Sequence, residues 1–114
     1  MSERLSQPEE PTDQAIIEKA RRSDAKFEDP KIREIFSRWY DIQIEGVGPT
    51  SRDQMAFQWK VAELFSECGA VEASLDALES LIEKAYREKD TQIYDMALQE
   101  YEKINSGNTE LSPN

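Results

Sequence analysis

Apolar residues in this chain recur at every third or fourth position and hardly anywhere at every second one, a period that constrains it to α-helices packed through one face. The pattern is clearest in Ile32, Ile35, Phe36, Trp39 and Tyr40. Asp29 followed by Pro30 marks the start of that helix, because the aspartate can accept from free amides and proline presets the first helical φ. Trp39 and Tyr40 beside Phe36 could form an exposed recognition patch, but core packing is the expected role. After Tyr40 the helical period fails: Ile42 and Ile44 alternate with Gln43 and Glu45 before Gly46, Gly48 and Pro49. An extended loop or a very short strand is expected there.

The same period places a shorter helix at about Asp13 to Ala25, with Ile16, Ile17 and Ala20 facing inward and Phe27 just beyond. A third helix begins at Thr50 or Ser51, where Ser51 and Gln54 match the reciprocal capping-box spacing. Its face is broad. Met55, Trp59, Ala62 and Phe65, with Val61 and Leu64 offset by one, predict contacts on two sides, and Gly69 suits the left-handed residue that closes a helix. Val71 to Glu88 forms a fourth helix with Val71, Ser74, Leu75, Leu78, Leu81, Ile82 and Ala85 inward. Asp90 can cap a fifth, whose stripe is Ile93, Tyr94, Ala97, Leu98, Tyr101 and Ile104. The fold expected is all-α: a small bundle of four or five helices joined by short turns, in one domain over 12–105, its C-terminal half arranged as a helical hairpin or solenoid. Residues 1–11 and 106–114 are polar and rich in proline, serine and acids, so both are expected to be disordered tails.

Composition bears on function chiefly by exclusion. The 114 residues include no histidine and one cysteine, Cys68. That closes the usual cysteine and histidine zinc sites, histidine-activated nucleophiles and histidine general-base catalysis. Cys68 at a helix end reads as a small buried apolar residue. The N-terminal residues have neither the apolar segment of a secretion signal nor arginine-rich transit character, and no apolar run approaches a membrane span. A cytoplasmic location is expected, with no membrane partner.

Net charge is −10, and it is unevenly spread: residues 1–52 hold 11 acids and 9 bases, residues 53–114 hold 13 acids and 5 bases. No base stands between Lys60 and Lys84, while Glu63, Glu67, Glu72, Asp76, Glu79 and Glu83 all fall in that gap. Bases gather instead at Lys19, Arg21, Arg22 and Lys26, and at Lys31, Arg33 and Arg38. This lopsidedness disfavours direct nucleic-acid contact, favours a basic partner, and would also suit head-to-tail homo-oligomers.

From Met55 to Tyr86 the chain resembles one degenerate tetratricopeptide-type hairpin. Val61 and Ala62 stand where that family places a large then a small apolar residue, Phe65 where it places an aromatic, Gly69 at the turn, Ser74 at the small position of the helix crossing and Leu78 at the bulky position beneath it. Gln58 stands where tryptophan is usual, Leu81 where alanine is favoured and Tyr86 in place of the closing proline. The resemblance implies a docking scaffold for peptides or proteins and no catalysis.

Other motifs fall away on their chemistry. Asp41, Gln43, Glu45 and Gly46 match the start of a calcium loop, but Arg52 occupies the twelfth place, where a bidentate glutamate is required. Glu63 with Glu67, and Glu79 with Glu83, have the four-residue spacing of di-iron bundles without the histidines those sites use. No phosphate-binding glycine loop is present. The expectation is therefore a non-enzymatic acidic interaction module without cofactor, binding a basic protein surface through Glu72, Asp76, Glu79 and Glu83 with Phe57 and Trp59 as aromatic anchors. Alternatives are a nucleic-acid mimic that inhibits a DNA-binding protein, and a carboxylate calcium-binding protein.

Overall fold

The computed structural model describes residues 11–110 and, of these, the side chains of 11–106. Five α-helices and no strand occur among the described residues: α1 (Asp13–Arg21), α2 (Pro30–Glu45), α3 (Ser51–Glu67), α4 (Val71–Glu88) and α5 (Thr91–Glu110), with one 3-10 turn at Lys26–Glu28 between α1 and α2. This is a small all-α bundle.

The helix starts follow their local chemistry. Thr12 Oγ1 accepts from the Ala15 amide at 3.1 Å, Asp29 Oδ1 from Lys31 at 3.0 Å, Thr50 Oγ1 from Asp53 at 3.0 Å and Asp90 Oδ1 from Ile93 at 3.1 Å. Thr50, rather than Ser51, is the cap of α3. The ends are closed by left-handed residues: Gly69 (φ 79°) after α3 and Lys89 (φ 60°) after α4. In each case the next amide reaches back to the last turn, Ala70 to the Phe65 carbonyl and Asp90 to the Ala85 carbonyl, both at 2.9 Å. Glycine is needed at the first site for its φ; Lys89 adopts the same conformation against its intrinsic preference.

Two expectations are corrected. Helix α1 stops at Arg21 rather than Ala25, and the chain turns through Lys26 (φ 53°), whose ammonium donates to the Ala20 carbonyl at 3.1 Å. Helix α2 does not end near Tyr40 but continues through Glu45 to Gly46. Nothing between Asp41 and Glu45 breaks a helix, and the alternating isoleucines reflect exposure rather than extension: Ile42 is 57% and Ile44 43% exposed. Helix α5 runs through Glu110, and of the expected tails 111–114 and the residues up to Glu10 lie outside the described residues.

Apolar residues gather in two clusters that share α3. Ile16, Ile17, Ala20, Ile32, Trp39, Phe57, Leu64 and Cys68 form the first, joining α1, α2 and one face of α3. Met55, Ala62, Leu78, Leu81, Ala85, Ile93 and Ala97 form the second, joining the other face of α3 to α4 and α5. Two interleaved stripes on α3 account for this, Phe57, Val61, Leu64 and Cys68 on one side and Met55, Trp59 and Ala62 on the other. Polar ties reinforce the joints: Trp39 Nε1 donates to Asp13, Arg21 Nε to the Glu67 carbonyl at 2.9 Å, and Arg52 to Gln92 at 2.6 Å.

Candidate functional site

Helix α4 carries two parallel sets of residues that obey the same spacing two positions apart. Ser74, Leu78, Leu81 and Ala85 are buried, whereas Glu72, Asp76, Glu79 and Glu83 are all exposed. A displacement of two residues rotates about 200° around a helix, so the carboxylates occupy the side away from the core. They form a row about 16 Å long at about 1.5 Å per residue. Among the described residues none of the four makes an ion pair or accepts a hydrogen bond. Their mutual repulsion across i,i+4 costs only a few tenths of a kcal/mol each. The row thus presents uncompensated negative charge to solvent. Among the described residues no three histidine, cysteine or carboxylate side chains are grouped so as to hold a metal ion. Asp41 and Glu45 sit on the helical part of α2 instead of wrapping a loop.

The two expected aromatic anchors are placed differently. Phe57 is 8% exposed, packed edge-on to Tyr40 at 5.1 Å and stacked with Trp39 at 6.3 Å between ring centroids. It packs in the first core and also borders an interhelix groove at the end of α2. The spacing of Phe57 with Val61, Leu64 and Cys68 carried the signal, as the inward stripe toward α1 and α2. Trp59 is half-buried against the second cluster, beside Ala62, Ser74 and Leu78. Neither aromatic adjoins the carboxylate row as an exposed pair.

Two surface concavities were not legible in the sequence. A groove of about 480 Å³ lies where the end of α2 and the following loop meet α3 and α4, and it includes Tyr40, Ile44, Val47, Phe57, Gln58 and Lys84. A wider basic cleft between α1 and α2 is lined by Lys19, Arg22, Lys31 and Arg38 together with Asp29 and Glu34. Both need residues from separate helices, and only the basic clusters of the cleft stand out along the chain.

Cys68 is fully buried. Burial pushes its thiol up to about 11 from an ordinary 9.0, against the lowering pull of Arg21 and Lys26. It is a packing residue and not a nucleophile poised at neutral pH. Among the described residues no helix is long and apolar enough to cross a membrane. No protein-family model, curated protein or solved structure matches the chain.

Proposed function

We propose that the chain is a non-catalytic, acidic helical interaction module that docks on a basic surface of a partner protein. The observation that carries this reading is the exposed row Glu72, Asp76, Glu79 and Glu83 on α4, with no cation paired to it among the described residues. Such a row contributes more to encounter rate and partner choice than to raw affinity. Affinity then has to come from apolar contacts nearby, and exposed Tyr86 and Met96 on α4 and α5 supply candidates. A second copy of the chain is one candidate partner, since its cleft between α1 and α2 presents Arg22 and Lys31, beside Asp29 and Glu34.

Affinity capture from native cytosol, repeated in high salt and with the four acids changed to lysine, tests the proposal. Loss of the captured basic partner under both conditions supports it; capture indifferent to salt and to the charge reversal rejects it. Sedimentation of the purified chain at low and high salt separates self-association from a foreign partner. The regular one-turn spacing of the carboxylates favours a nucleic-acid mimic as the second reading. In that case duplex DNA displaces the captured partner, whereas an ordinary docking module keeps it.

A further inference from the structure

The groove between α2, α3 and α4 shares no residue with the carboxylate row, and its chemistry is different. Its walls mix apolar and polar groups; on the apolar side Tyr40 and Ile44 are 37% and 43% exposed, and Val47 and Phe57 stand beside them. Three polar side chains share those walls, Gln54, Gln58 and Lys84, and the last two bear on an occupant. Gln58 Oε1 is buried and, among the described residues, has no hydrogen-bond partner. An amide oxygen in that condition has given up its hydrogen bond to water and gained none in exchange, which destabilises the free protein. Lys84 is half-buried and, among the described residues, pairs with no acid. It is also the first base after Lys60 along the chain.

From this combination we infer that the groove is a docking site for an acidic, apolar peptide segment of a partner protein. Each part of the occupant answers a group on the page. An apolar side chain covers Tyr40 and Ile44. A carboxylate beside it neutralises Lys84, and a backbone N–H meets the Gln58 oxygen. The oxygen itself is enclosed, and the broad, roughly two-fold terminal torsion of glutamine lets the carboxamide turn it toward the groove when a peptide binds. The volume of about 480 Å³ lies within the usual range of about 300 to 1,000 Å³ for ligand sites. The groove is partly open to solvent, which suits a chain segment entering and leaving better than an enclosed metabolite. The net charge of −10 limits the segment to acids placed at Lys84, because any others face a repulsive field.

The experiment is selection of random heptapeptides displayed on phage against the immobilised full chain, followed by affinity measurement on the enriched peptides. The expected consensus is an apolar residue next to Asp or Glu. Lys84→Glu and the surface change Ile44→Asp should each weaken binding at least tenfold. Gln58→Leu should weaken it as much while leaving the free protein equally or more stable, since it removes an unsatisfied acceptor. Changing Glu72, Asp76, Glu79 and Glu83 to the corresponding amides should leave these peptides bound, which separates the groove from the α4 row. A basic consensus, no consensus, or binding indifferent to Gln58→Leu and Lys84→Glu overturns the inference.

Discussion

The Ser74 hydroxyl donates to the Ala62 carbonyl oxygen at 3.2 Å where α4 crosses α3, and both residues are buried. Small side chains at both positions let the two backbones approach closely, and the hydroxyl spends its hydrogen bond inside the crossing. Ser74→Ala should therefore cost about 1 kcal/mol, the usual net value of one such bond. Ser74→Leu should cost more, about 1 to 3 kcal/mol, through overpacking. Urea unfolding of the three proteins checks the order; a leucine variant as stable as wild type would show that the crossing is loose.

Trp39 is fully buried, and its indole N–H is satisfied by the Asp13 carboxylate at the start of α1. Removing the acceptor leaves a donor stranded in the first core. Asp13→Ala should destabilise by about 1 to 3 kcal/mol, and Asp13→Asn, which keeps an acceptor oxygen, by less. Tryptophan fluorescence during denaturation reports the difference.

The exposure of Ile42 on a continuous helix separates two readings of the same residues. Ile42→Asp should change stability by no more than about 0.5 kcal/mol, as at an ordinary surface site. Ile42→Pro should cost about 3 kcal/mol, because it removes a helical hydrogen bond and clashes with the preceding turn. An extended loop at this position would tolerate both.

Burial holds the Cys68 thiol at about 11, above its ordinary 9.0, so the folded state favours the protonated form. The stability associated with that thiol is fully present below about pH 9 and is lost as pH rises toward 11. Wild type should therefore lose stability relative to Cys68→Ala across this window, and alkylation at neutral pH should proceed only as fast as the chain opens. Parallel pH slopes for the two proteins would remove burial as the cause.

Single lysine substitutions at Glu72, Asp76, Glu79 or Glu83 should leave stability within about 0.5 kcal/mol, since each side chain is exposed and, among the described residues, unpaired. Thermal melts of the four variants check this. A large loss at any one of them would mean that the carboxylate is a structural partner rather than a free surface charge.

Much of the architecture was legible one window at a time. Asp29 with Pro30, Gly69, Asp90 and the stripes of α4 and α5 act within a few residues of themselves, through capping bonds, backbone strain and helical spacing, so sequence alone determined the helices and the outward row of acids. What covers what was decided only in three dimensions. Phe57 lies inside because α2 brings Trp39 and Tyr40 against it, while Ile42 and Ile44, at the end of the same helix, remain largely exposed. The groove likewise exists only where Ile44, Gln58 and Lys84 converge from three helices. Burial depends on the surface that distant segments remove from water, and helical periodicity says which residues share a face but not which neighbour will cover it.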